Sequence, residues 1–205
     1  MKRLLYLVMT REDGTTYKLY WSASNLCKDG LCANPQDYGD YYAWGETETK
    51  ENYNWSTYKF GQSESGPFSK YNTNDNKTVL DPGPDGDDVA SKLLGDKWRM
   101  PTYAEWTELM TKCTWTREDD YNGTGVSGRI VTSSVEGYKD KSIFLPLAGS
   151  RYSAGLGFVG SRGYYWSSSL FSPGQALDVF FDSDNIYWYL DFRYYGQSVR
   201  PVYED

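Results

Sequence analysis

The strongest constraint on the fold lies in the C-terminal half of the chain. Six short segments, "GRIVTSS" (128–134), "SIFLPLAGS" (142–150), "GYYWSSS" (163–169), "ALDVFFDS" (176–183), "IYWY" (186–189) and "GQSVRPV" (196–202), are rich in β-branched and aromatic residues. Gly, Ser, Asp or Asn separates each from the next, so the chain reverses at short intervals and its strands pair antiparallel. Two helices are predicted before this run. In "DDVASKLLGDKW" Asp87 or Asp88 caps the start, Val89, Leu93 and Leu94 form the apolar face, and Gly95 ends the helix. In "RMPTYAEWTELMTKC" Thr102 and Glu105 have capping-box spacing, and Trp106, Leu109 and Met110 share a face.

The remainder is less regular. Leu4–Thr10 and Thr16–Tyr20 read as a β-hairpin turned at Asp13-Gly14. From Trp21 to Thr73 no period is evident, and residues 61–87 carry the Gly, Ser, Asn, Asp and Pro of a loop. No internal repeat stands out. The expectation is a single α+β domain over residues 1–205: an opening hairpin over 1–20, an irregular first third, two helices, then an antiparallel sheet.

Composition narrows the function. The net charge of −7 is spread over the chain and offers no basic stripe for a phosphate backbone, so nucleic acid is not an expected partner. The absence of histidine rules out Ser–His and Cys–His dyads. The three cysteines, Cys27, Cys32 and Cys113, are too few for a zinc site without histidine. Cys27 and Cys32 are equally consistent with a disulfide or two free thiols. The apolar run Leu4–Met9 is short for a signal peptide and meets Arg11-Glu12-Asp13 at once, and no stretch approaches a membrane span. No cofactor is expected. "DPGPDGDD" (81–88) is the one candidate calcium loop, through Asp81, Asp85 and Asp87, but it lacks the EF-hand spacing and its distal glutamate. A solvated, helix-capping loop is the competing reading.

One stretch resists a one-sided strand reading. "NIYWYLDFRYYG" (185–196) places Ile186, Trp188, Leu190 and Phe192 on one parity and Tyr187, Tyr189, Arg193 and Tyr195 on the other. Either both sides are buried, or one side shows rings to something other than water. Tyrosine joins a large ring to a hydroxyl at low entropic cost, and the segment 150–195 has the Tyr, Phe, Ser, Gly, Asp and Asn make-up of recognition loops.

Several ordered motifs, "WSASNL", "YGDYYAWGE", "RMPTYAEWTEL", "IFLPLAGSR", "GYYWSSS" and "YYGQSVRPV", resemble C-type-lectin-fold domains of gut Bacteroidetes, similar in fold to formylglycine-generating enzymes. The resemblance spans about residues 17–203. It implies two helices on a small twisted antiparallel sheet with long irregular loops, paired N- and C-terminal strands, and a ligand face in the C-terminal third. Those enzymes need cysteines in the C-terminal region, which this chain lacks, so the resemblance implies a non-catalytic protein. The calcium-binding motifs of animal C-type lectins are also missing.

A subset of these domains resembles variable proteins of diversity-generating retroelements, in which adenines of a C-terminal coding segment are rewritten. Where Asn-rich turns often precede "RYYG", this chain has Tyr187, Tyr189, Leu190, Asp191 and Phe192. Tyr152, Ser153, Leu156, Phe158, Leu170 and Phe171 are similar in kind. All are reachable from an Asn codon by adenine substitution, whereas Trp188 is not. These eleven residues are the expected ligand contacts, and Trp98, Trp106, Trp166 and Trp188 the structural rings. The expected partner is a protein or glycan on a cell surface, met from a virion (a phage tail) or an extracellular surface. The alternative is an adhesin module of fixed glycan specificity.

Overall fold

The computed structural model describes residues 5–11, 13–95 and 97–205. The described strands and α-helices, in chain order, are β1 (Leu5–Thr10), β2 (Thr16–Trp21), β3 (Leu26–Cys27), β4 (Gly30–Leu31), α1 (Val89–Leu94), β5 (Trp98–Arg99), α2 (Tyr103–Lys112), β6 (Thr114–Glu118), β7 (Gly128–Thr132), β8 (Ser142–Pro146), β9 (Ser150–Tyr152), β10 (Gly155–Gly157), β11 (Gly163–Ser172), β12 (Gln175–Phe181), β13 (Ile186–Phe192) and β14 (Val202–Glu204). They form five antiparallel sheets: β1-β2-β14-β5, β3-β4, β6-β7-β8, β9-β10 and β11-β12-β13.

This corrects the expected α+β class with its single small sheet. Strand accounts for 38% and helix for 11%, so the protein is mostly β. The helices sit where expected, but α1 has six residues and α2 ten. Neither is long enough to make a helical layer, and the sheets must supply most of the burial. Within the expected hairpin, β1 pairs with β2 from Leu5↔Trp21 to Thr10↔Thr16, while Leu4 and Glu12 lie outside the described residues. No described helix is long and apolar enough to cross a membrane.

Local sequence chemistry explains both helices. Asp88 caps α1 by accepting from the Ala90 and Ser91 amides, and its other oxygen accepts from the Met100 amide at 2.8 Å. Thr102 and Glu105 form the reciprocal capping box of α2. Glu105 also accepts from Arg99 at 2.7 Å and from the Tyr17 hydroxyl at 2.8 Å, which ties the start of α2 to the N-terminal hairpin. Cys27 and Cys32 form a disulfide around the β3–β4 turn, and Cys113 is free.

Two apolar clusters form the interior, and sheet β11-β12-β13 contributes to both. Tyr165, Val179 and Phe181 enter one, with Leu5, Leu19, Trp21, Trp106 and Leu109. Trp166 and Ala176 enter the other, with Trp44, Tyr53, Tyr58, Phe60 and Tyr71 from the segment without detectable period. That segment is held by long-range hydrogen bonds rather than by a repeat. The Trp166 indole donates to the Tyr42 carbonyl at 2.8 Å, and the Trp44 indole to the Ser167 carbonyl at 3.0 Å.

Two fully buried arginines complete the frame. Arg200 donates to Asn25 Oδ1, the Ser22 carbonyl and the Phe144 carbonyl at 2.9, 3.1 and 2.7 Å. Burial lowers its pKa to about 10, so it remains charged at neutral pH. Arg193 lies among Trp44, Phe68, Tyr58, Phe60 and Tyr71, at 4.9–5.8 Å from the ring centroids.

Candidate functional site

Strand register resolves the two-sided aromatic stretch. Residues paired across antiparallel strands point to the same face. Ile186 and Trp188 of β13 pair with Phe181 and Val179 of β12, and both pack against the cluster that holds Tyr165, Val179 and Trp106. Trp188 is capped by Tyr103 of α2, with ring centroids 4.2 Å apart. Tyr187 and Tyr189 point the other way, opposite Phe180 and Asp178, and each remains 45% exposed. The segment is therefore buried on one side and open on the other over these residues.

The open side is an aromatic surface with depth. Tyr164 of β11, Phe180 of β12 and Tyr187 of β13 pair in one row across the sheet. Tyr164 and Phe180 are 5.2 Å apart, Phe180 and Tyr187 4.7 Å, and Tyr187 and Tyr189 6.4 Å. Phe158 extends the row at 6.3 Å from Tyr164, with the Arg162 guanidinium 4.2 Å over its ring. Tyr164 and Phe180 are buried, so they form the floor and Tyr187, Tyr189 and Phe158 the rim. Covering the roughly 70–110 Å² that each rim ring leaves in water is worth about 2 kcal/mol before association costs.

The β9–β10 turn brings Tyr152 to the neighbouring edge, 5.4 Å from the Tyr195 ring. Gly149 permits the close approach of the following loop, because a Cβ there would lie 2.1 Å from the Gly157 carbonyl oxygen. Of the twelve exposed large apolar side chains among the described residues, seven fall between Tyr152 and Tyr189, which concentrates exposure on this part of the chain.

The eleven expected contact residues divide into six exposed, one intermediate and four inward-turned. Tyr152, Leu156, Phe158, Phe171, Tyr187 and Tyr189 are exposed. Ser153 is half-buried, with a positive φ of 51° and a bridge to Tyr53. The other four turn wholly or partly inward. Leu170 and Phe192 pack against the cluster that holds Trp44 and Trp166, Phe192 stacking with Tyr194 at 5.7 Å, and Leu190 is half-buried. Asp191 is buried and accepts from Gln197 Nε2 at 2.6 Å. Its parity matches that of Tyr187 and Tyr189, but the bond from Gln197 in the chain leaving β13 holds it low, with 8% of its surface exposed.

Asp191 has an acidic neighbour. Asp178 is fully buried, and neither of its carboxylate oxygens accepts a hydrogen bond from the described residues. Burial, and then the adjacent charge of Asp191, push its pKa well above the usual carboxylate range. Burial likewise raises Asp191 to about 7, against the bond from Gln197, which favours the charged form.

The candidate calcium loop has other partners. Asp81 pairs with Lys70 at 2.6 Å and Lys77 at 2.5 Å, Asp87 pairs with Lys59 at 2.9 Å and with Lys70, and Asp85 is exposed. Asp87 also accepts from the Tyr71 hydroxyl at 3.0 Å. No three acidic or thiol groups among the described residues are arranged to hold a metal ion.

Sequence reasoning missed Tyr164, Phe180, Asp178 and Arg162 as parts of this surface. Two of them were signalled in "ALDVFFDS". Phe180 and Phe181 are adjacent, so one must face away from the core, and Asp178 shares the parity of Phe180. Comparison with known protein families, curated proteins and solved structures finds no match for this chain.

Proposed function

We propose that this is a non-catalytic ligand-binding protein whose outer β11-β13 face, with the loops at Tyr152–Phe158, recognises a protein or glycan on a cell surface. The observation that carries the reading is the pair Tyr187 and Tyr189, half exposed on a regular strand over the buried floor of Phe180 and Tyr164. Rings fixed on a strand lose little freedom on binding, and their faces and hydroxyls suit a mixed apolar and polar partner. Protein and glycan arrays probed with the native chain identify the ligand. The double variant Tyr187→Ala/Tyr189→Ala then loses about 10- to 100-fold in affinity and shifts in Tm by no more than about 3 °C. Unchanged affinity for every array ligand overturns the reading.

We further propose that this face is diversified by a retroelement, at the exposed positions Tyr152, Leu156, Phe158, Phe171, Tyr187 and Tyr189. Asp191 and Phe192 have structural partners and are expected to be constant. The test lies in the DNA: a near-copy of the segment encoding residues 150–200, beside a reverse-transcriptase gene and differing at adenines of those six codons. Absence of such a copy rejects diversification and leaves ligand binding standing. The second reading, an adhesin of fixed glycan specificity, is favoured by the two adjacent tyrosine rings, whose faces suit sugar stacking. A glycan hit without the genomic copy selects it.

A further inference from the structure

The floor of the aromatic face contains an acid pair without a counter-charge. Asp178 lies between Trp166 and Tyr189 in one row across the sheet, and Asp191 lies opposite Ala176 in the next row, on the same face. Asp178 is 0% and Asp191 8% exposed, so Asp191 is the outward member of the pair. Gln197 donates to Asp191, and its own Oε1 has no partner among the described residues. No described lysine or arginine pairs with either acid. Arg162, the cation on this face, donates to the Tyr164 hydroxyl at 3.3 Å and stacks on Phe158 instead.

Tyrosines surround the pair. Tyr164 on β11 is within electrostatic reach of both acids, and Tyr195 in the closing loop is within reach of Asp191, Tyr152 and Tyr189. Tyr189 is the cross-strand neighbour of Asp178. Two carboxylates and one amide oxygen are too few for a hard divalent ion, which takes six or more oxygens. They suit an organic cation, whose charge needs one or two carboxylates and whose alkyl stem is favoured by ring faces.

We propose that Asp191, backed by Asp178, floored by Tyr164 and rimmed by Tyr189 and Tyr195, is a subsite for the ammonium or guanidinium group of a lysine or arginine side chain on a protein ligand. This rests on the proposed display role of the same face and specifies one feature of what it recognises. In the free protein burial favours the protonated form of both acids. An entering cation replaces a proton at Asp191, so binding releases a proton and strengthens as pH rises. The net charge of −7 assists by drawing cationic partners towards the protein.

The test titrates the full chain with the N-acetyl methylamides of lysine, arginine and norleucine, following tyrosine ring and carboxyl carbon resonances by NMR. With the Asp191 carboxyl titrating at about 7, the cationic probes should bind about tenfold more tightly near pH 8 than near pH 6. Norleucine should show no such dependence, and comparison of lysine with arginine identifies the preferred cation. Asp191→Asn, whose folding is checked by its Tm, should lose the preference for cationic probes. Equal binding of norleucine and the cationic probes at both pH values, or retained preference in Asp191→Asn, overturns the subsite but leaves the display role intact. If no probe moves any tyrosine resonance of this face, the subsite is overturned, and the display role is left to the array experiment.

Discussion

Arg193→Ala is expected to lower the melting temperature by about 10 °C or more, the largest effect of any single substitution considered. The guanidinium is fully buried and pairs with no carboxylate among the described residues; it is held by oxygens and rings. Its Nε donates to the Tyr58 hydroxyl at 2.8 Å, and its terminal nitrogens to the carbonyls of Pro173, Tyr71 and Lys70 at 2.7, 3.1 and 3.3 Å. Truncation leaves those acceptors without a donor, at about 1–3 kcal/mol for each that water cannot reach. It also opens a cavity among five rings and removes their shared cation. The loss should appear first in the segment around residues 58–71, which has no regular ladder of its own, as faster proteolysis there. Arg193→Lys keeps the charge but not the planar fork, so it should fall between wild type and alanine. A melting temperature unchanged in Arg193→Ala would mean that the ring cage holds together without its cation.

Asp178→Asn should act in the opposite direction and stabilise the protein. The folded-state pKa values of Asp178 and Asp191 are both raised, the latter to about 7 from an ordinary 3.8. Between about pH 4 and pH 7 the folded chain therefore binds more protons than the unfolded chain, so stability falls as pH rises through that window. Full stability is present below the unfolded value, and the loss persists above the folded one. Removing one ionisable carboxyl should raise the melting temperature most at the alkaline end of the series, where the fold resists the ionisation of the pair. The gain should shrink towards pH 4. Thermal melts of both proteins at several pH values check this. Destabilisation by Asp178→Asn near pH 8 would show that the pair is ionised and satisfied in the fold.

The parts of the fold legible in the sequence are those set by neighbours in the chain. Thr102 and Glu105 announce α2, Asp88 and Gly95 bound α1, and the Gly- and Ser-bounded apolar runs mark β11 and β12. Trp44, Tyr58, Phe60, Phe68 and Tyr71 gave no period because an arginine more than a hundred residues away organises them. The α+β expectation weighed the existence of helices and not their length. With α1 and α2 this short, five sheets carry the burial.

The site was partly legible for a related reason. Alternation along β13 separates Trp188 from Tyr187 and Tyr189, but alternation alone does not reveal what returns over a strand. Gln197 returns to hydrogen-bond Asp191, so an acid of the display parity keeps only 8% of its surface in water. Phe192 is drawn to Trp55, 5.9 Å away, by a contact between distant segments, and stacks with its near neighbour Tyr194 at 5.7 Å.

The central claim is that one face of sheet β11-β12-β13 is core, and that the other, core at Trp166 and Ala176, opens around Tyr187 and Tyr189 into a recognition surface. Hydroxyl-radical footprinting of each tyrosine, without and with a ligand from the arrays, tests it most directly. Tyr152, Tyr187 and Tyr189 should oxidise readily in the free protein while the buried Tyr53, Tyr71 and Tyr165 remain protected, and ligand should protect the first three. Protection of Tyr187 and Tyr189 in the free protein, or their continued oxidation under saturating ligand, would contradict the account.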